Sequence, residues 1–274
     1  MNKPVIHTRI RKVDRQEMLD TDDILAAEEP LEIRLIHGPT HNRRQQSISV
    51  TMRTPGNDED LAAGFLFSEG IIQQYNAIAH MKTEETSAGT IITISLKENI
   101  LPQLNGSQRN FTATAACGVC GKQDISSIHT GVSVSNASLQ AHTTTILKMP
   151  ESLRVQQSLF DSTGGIHAAA LFNQQGEIVL MQEDIGRHNA VDKIIGAALR
   201  TDRYPLQQYM LLLSGRAGFE LIQKAAMAGI AFIAAVGAPS SMAVQMATAW
   251  NMTLIGFLRE NRFNIYTGAH RVKI

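Results

Sequence analysis

Residues 210–257 read MLLLSGRAGFELIQKAAMAGIAFIAAVGAPSSMAVQMATAWNMTLIGF. Three short apolar runs, at 210–213, 231–236 and 254–257, are separated by two stretches, 219–228 and 242–250, of helical length and pattern. Apolar runs without polar alternation suit strands covered on both faces, as in a parallel sheet. Strands that alternate with helices predict an α/β layered domain.

The same texture extends toward the N-terminus. Residues 168–172 and 178–181 read as strands joined by Asn173-Gln174-Gln175-Gly176, a hairpin signal. Residues 188–199 read as a helix. Residues 151–160 are a further helix candidate, with Pro150 suited to its first turn. Upstream of residue 130 the pattern differs. Residues 31–36 and 47–52 alternate like half-buried strands. The turn Thr54-Pro55-Gly56-Asn57-Asp58 leads into a short helix at 59–67, with Asn57 or Asp58 as N-cap and Gly70 beyond its end. Residues 91–96 read as another strand, and residues 1–27 as a loosely held polar arm. The expected division is a smaller N-terminal α+β region, 1–130, ending in a Cys-x-x-Cys loop, and an α/β domain, 131–274.

Lys+Arg and Asp+Glu both number 25 among 274 residues, so the formal net charge is zero. A nucleic-acid binder normally carries a basic excess or stripe; none is visible, and no nucleic-acid partner is expected. The longest apolar run, 225–238, is too short to span a membrane. Residues 1–30 lack the apolar core of a signal peptide. These features predict a soluble, cytoplasmic protein.

The chain has 2 cysteines, Cys117 and Cys120, each followed by glycine. So tight a pair closes almost no chain and staples little. A thiolate is the nucleophile of sulfur chemistry, and a second thiol nearby can assist or resolve it. Sulfur transfer, thiol redox, zinc binding and an inert pair all remain open on this ground. A closed zinc site needs four ligands. His129, His142 and His167 are the candidates, at spacings that match no common finger. Zinc deaminases use H-x-E followed by P-C-x-x-C. Here His167-Ala168-Ala169 lacks the glutamate, and the cysteine pair precedes it.

Three Gly/basic segments suit anions. Gly186-Arg187-His188, with Lys193 further on, and Ser214-Gly215-Arg216 each open a helix after a strand, where free N–H groups favour phosphate. The third, Phe257-Leu258-Arg259-Glu260-Asn261-Arg262, follows a strand and carries two arginines three residues apart. Glu183-Asp184 could serve acid–base work, cap a helix or pair with arginine.

In order along the chain, several segments resemble the formate dehydrogenase accessory sulfurtransferase family. They include Asp60-Leu61-Ala62-Ala63-Gly64-Phe65-Leu66, the cysteine loop, Thr163-Gly164-Gly165-Ile166-His167, Glu183-Asp184-Ile185-Gly186-Arg187-His188-Asn189, Ser214-Gly215-Arg216 and Gly256-Phe257-Leu258-Arg259. Gly218 stands where that resemblance would put a serine. The resemblance implies a cytidine-deaminase-like C-terminal αβα layered domain without zinc, and a homodimer. It implies a sulfurtransferase that takes persulfide sulfur from a cysteine desulfurase and delivers it to the bis(molybdopterin guanine dinucleotide) cofactor of formate dehydrogenase. Cys117 would carry the sulfur and Cys120 would assist. Phe257, Leu258, Arg259, Glu260, Asn261 and Arg262 match the cofactor-binding segment. A cofactor-binding chaperone with a structural or zinc-binding cysteine pair is the alternative.

Overall fold

A computed structural model describes residues 3–15, 17–104 and 138–274. The chain opens with an antiparallel ribbon, β1 (Val5–Asp14) and β2 (Glu17–Ala26). The arm expected at residues 1–27 is therefore a hairpin. Its polar, β-branched mixture gave no clear alternation because neither face is fully buried.

Next come β3 (Glu29–His37), β4 (Arg44–Arg53), helix α1 (Asp58–Ser68), β5 (Ile78–Thr86) and β6 (Gly89–Leu96). They form a four-stranded sheet in the order β4-β3-β6-β5, with β3 and β6 parallel. Period-two patterning is clean: Leu31, Ile33 and Leu35 of β3 and Ile92, Ile94 and Leu96 of β6 are buried. Asn57 is the N-cap residue of α1, at φ 54°, and its amide donates to Gln182 Oε1 at 2.8 Å.

The second half holds β7 (Ala141–His142), α2 (Thr143–Gln156), α3 (Ser158–Thr163), β8 (His167–Phe172), β9 (Ile178–Asp184) and α4 (Arg187–Arg200). It continues with β10 (Met210–Leu213), α5 (Phe219–Met227), β11 (Phe232–Ala235), α6 (Ser241–Ala249), β12 (Thr253–Arg259), β13 (Arg262–Thr267) and β14 (Val272–Lys273). Pro150 lies inside α2 and not in its first turn. Ile146, Met149 and Leu153 are buried along one side of that helix, and packing of this stripe outweighs the local cost of an interior proline.

Six strands form one sheet in the order β13-β12-β11-β10-β8-β9, with β10, β11 and β12 mutually parallel. Both faces are covered, and alternate residues show which cover each meets. Met210 and Leu212, Phe232 and Ala234, and Ala168, Ala170 and Phe172 pack with α2. Leu211 and Leu213, Ile233 and Ala235, and Ala169 and Leu171 pack with α4, α5 and α6, in a cluster that continues through α1 into β3 and β6. Double coverage is the physical cause of the unbroken apolar runs.

Helices α1 and α4 cross at glycines. A Cβ on Gly64 would lie 1.9 Å from the carbonyl oxygen of Asp192, and one on Gly196 1.9 Å from that of Asp60. Polar bonds flank the crossing. Arg200 makes a bidentate pair with Asp60, at 2.7 and 2.9 Å. Lys224 of α5, buried, contacts both Asp192 carboxylate oxygens at 2.9 Å and Ser68 Oγ at 2.8 Å. Burial works against the Lys224 ammonium, but Asp192 and Glu69 outweigh it and hold its pKa above the usual lysine value. Among the described residues, no helix is long and apolar enough to cross a membrane.

Candidate functional site at the carboxyl edge of the six-stranded sheet

Strand directions gather the loops. Strand β8 is antiparallel to β10 and to β9. The carboxyl ends of β9, β10, β11 and β12 therefore share an edge with the amino end of β8. A cleft of about 680 Å³ opens there, with His167, Ile185, Ser214, Val236 and Glu260 along the sheet side and Leu153, Arg154 and Phe160 from α2 and α3 opposite. Open α/β sheets collect ligands at this edge. Sequence reasoning did not find Arg154 and Phe160. Their signal is a cation–π contact, the Arg154 guanidinium 4.6 Å from the Phe160 ring centroid, which only folding reveals.

The loops after β10 and β11 are joined. Gly237 N–H donates to Gly215 O at 2.9 Å and Ser240 N–H to Ala217 O at 3.0 Å. A Cβ on Gly237 would stand 2.8 Å from Arg216 N, so the close approach needs glycine. Ser214 Oγ accepts from Ala168 N–H at 2.8 Å, which joins β10 to β8 beside His167.

The 257–262 segment is a hairpin end. Gly256 and Phe257 belong to β12, a bulge separates Gly256 from Arg259, and Arg259 pairs with Arg262 across the turn formed by Glu260 and Asn261. Phe257 has φ 53° and an exposed side chain. Phe257 N–H donates to Gly237 O at 3.1 Å, and Arg259 Nη1 donates to Val236 O at 2.6 Å. The bulge and these bonds aim the hairpin end at the cleft mouth. Paired residues in adjacent strands project to one face with Cβ atoms about 5 Å apart, so the structure brings Arg259 and Arg262 together as exposed neighbours. Leu258 is fully buried in the cluster under α2.

Lys193 is not an anion ligand. It is buried and paired with Asp184 Oδ2 at 2.7 Å. Asp184 also accepts from Thr54 N–H at 3.2 Å, Gly186 N–H at 2.8 Å and Asn189 Nδ2 at 3.0 Å. It fixes the loop into α4 and has no solvent path for acid–base work. Glu183 accepts from Leu159 and Phe160 N–H at 3.2 and 3.0 Å. It thus caps α3, while burial raises its pKa above the usual glutamate value.

His188, at the start of α4, has its Nε2 3.2 Å from Glu220 Oε2. That contact holds the Glu220 carboxyl below the ordinary range. Arg216 is exposed, and Gly218 is the N-cap residue of α5. Burial, then the charges of Arg187 and His188, lower the pKa of His167. Burial thus favours the neutral form of the His167 imidazole, in a cleft whose charged lining residues are Glu151, Arg154 and Glu260.

Cys117, Cys120 and His129 lie outside the described residues. Among the described residues no three His, Cys, Asp or Glu side chains could hold a metal ion together.

The FdhD/NarQ family model matches residues 26–273. The chain is 42% identical over 262 residues to the sulfur carrier protein FdhD of Streptomyces avermitilis, covering 92% of this chain and 90% of that protein. It is 44% identical to the sulfur carrier protein FdhD of Nocardia farcinica, covering 92% and 88%. It is 41% identical to the protein of that name in Picrophilus torridus, covering 98% and 99%. In fold it is similar to a protein from Desulfotalea psychrophila provisionally described as a formate dehydrogenase accessory protein, with TM-score 0.73 at 21% identity over 98% of this chain and 99% of that one. Matches at this identity over nine tenths or more of the chain, together with the family model over residues 26–273, place the chain in the FdhD/NarQ family.

Proposed function

We propose that this chain is a cytoplasmic sulfur carrier for formate dehydrogenase maturation. In this reading the Cys117 thiolate attacks the outer sulfur of a cysteine desulfurase persulfide. The desulfurase thiolate leaves, and Cys117 holds the persulfide. The outer sulfur then passes to the metal of bis(molybdopterin guanine dinucleotide) as sulfide. That step takes two electrons from the metal centre and returns Cys117 to the thiolate, with Cys120 assisting. The protein acts as a homodimer, and its partners are the desulfurase and formate dehydrogenase.

The observation that carries the proposal is the Arg259–Arg262 pair that flanks Glu260, a residue lining the cleft. Two adjacent guanidiniums suit the diphosphate of a guanine dinucleotide end, because each offers a planar fork of donors. Relatives named sulfur carrier protein FdhD, at about 40% identity, support the sulfur half. The hairpin β8-β9 beside parallel β10, β11 and β12, with helices on both faces, supports a cytidine-deaminase-like layering for residues 131–274 beside a smaller unit, 1–130.

Intact mass after incubation with a cysteine desulfurase and cysteine tests the sulfur half. Gain of one sulfur atom, reversed by reductant and absent in Cys117→Ala, is expected; the same gain in Cys117→Ala sinks the assignment. For the cofactor half, Arg262→Ala should weaken GDP binding about tenfold or more, since a hydrogen bond to a charged group contributes roughly 1.5–3 kcal/mol. Unchanged affinity by calorimetry would exclude that arginine.

A further inference from the structure

The wall of the cleft opposite the sheet carries chemistry that the arginine pair does not use. Glu151 and Arg154 of α2 and Phe160 of α3 line it. The Arg154 guanidinium lies 4.6 Å from the Phe160 ring centroid and is paired with Asp161, while half of its side chain stays exposed. A guanidinium held from two sides offers its free side as a shelf on which a planar ring stacks. Glu151, exposed, stands three residues before Arg154 on α2, and helix residues at that spacing are neighbours on one face. Apolar side chains, among them Leu153, Ile166, Ile185 and Val236, line the space between the walls. On the sheet side Glu260 sits between Arg259 and Arg262.

A nucleotide has the same division, a flat neutral base at one end and charged phosphates at the other. We propose that Arg154 and Glu151 select the base: the purine stacks on the Arg154 guanidinium, and Glu151 reads its Watson–Crick edge. This inference rests on the cofactor half of the proposal above, in which Arg259 and Arg262 hold the diphosphate. Guanine presents two adjacent donors on that edge, N1–H and the N2 amine. An ionised carboxylate only accepts, and its two oxygens take both. Adenine presents an acceptor at N1, which a carboxylate repels. Glu151 is thus the residue that determines guanine specificity, while Phe160 and Asp161 position Arg154. Glu260 is unsuited to that role, because it lies between the two phosphate-binding arginines, and the Watson–Crick edge is the end of a nucleotide remote from its phosphates. The group that reads the edge must stand across the cleft, where α2 places Glu151.

Calorimetry on the purified full chain tests it, with GDP, ADP and inorganic pyrophosphate as probes. The unaltered chain should prefer GDP to ADP. In Glu151→Ala, GDP affinity should fall about tenfold or more, since hydrogen bonds to a charged group are lost. ADP affinity should not fall, so the preference collapses. Arg154→Lys keeps the charge but loses the planar shelf. It should weaken GDP and ADP alike, about fivefold or more, and leave pyrophosphate unchanged. Both side chains are exposed, so neither change should unfold the chain, and retained pyrophosphate binding shows that the variants are folded. A GDP preference that survives in Glu151→Ala, or a chain that binds GDP and ADP equally, overturns the Glu151 assignment. Unchanged GDP affinity in Arg154→Lys, or pyrophosphate weakened as much as GDP, overturns the shelf. In each of those cases the cofactor reading stands. An unaltered chain that binds no GDP overturns that reading and this inference together.

Discussion

His167 sits at the first position of β8, against Gly215, where a Cβ would fall 3.1 Å from its ring. Burial and the nearby Arg187 and His188 charges push its folded pKa below the unfolded value of about 6.5. Between the two values the unfolded chain binds the extra proton. Stability is therefore lost as pH falls below about 6.5, until the folded ring also protonates. His167→Gln removes this contribution. Urea melts at successive pH values should show a flatter decline for the variant below that point; parallel curves would refute the assignment. Arg259 and Arg262 show what a residue-level reading misses. In sequence they are three apart, a spacing shared by ordinary charged turns. The β12–β13 register makes them face-to-face neighbours.

At the scale of elements, the α1–α4 crossing determines how the two halves meet. Backbones approach so closely that a methyl group on Gly64 would overlap the carbonyl of Asp192. Gly64→Ala must push the helices apart and loosen the Lys224–Asp192–Ser68 group packed beside them. Overpacking usually costs about 1–3 kcal/mol, and a backbone clash of this depth should reach or exceed the upper end. Chemical denaturation of the variant checks this, and a midpoint equal to that of the unaltered chain would mean that the crossing is wider than described. Element identity was largely legible. Strands β3, β4, β6, β8, β9, β10, β11 and β12 and helices α1, α4, α5 and α6 were all visible as apolar periods. β5 was missed because only Ile78 and Met81 break a run of exposed polar residues. Helix α2 was misplaced because a locally favourable site for Pro150 conflicted with the burial of Ile146, Met149 and Leu153.

Across the whole molecule, residues from β3, β6, α1, α4, α5 and α6 share one apolar cluster, and Trp250 belongs to it. Bonds between distant parts of the chain reinforce it: Thr54 with Asp184, Asp60 with Arg200, and Ser68 with Asp192. Such continuity predicts a single cooperative unfolding transition. Trp250 fluorescence and far-UV circular dichroism should trace superimposable urea curves; two separated transitions would show that the sheets unfold independently.

By itself the sequence determined most of the strands and helices of the second half, the α/β class, the close spacing of the two cysteines and the ordered motifs of the family. These properties are local, because a helix or strand imprints its own period on the residues it buries. Tertiary structure alone decided that Lys193 is consumed by Asp184, that Leu258 turns into the core while Arg259 and Arg262 stand together, and that Ser214 and Val236 line a cleft faced by α2 and α3. Those outcomes depend on which distant surfaces meet. Many pairings satisfy the same periodic pattern, and only simultaneous packing of both sheet faces selects among them.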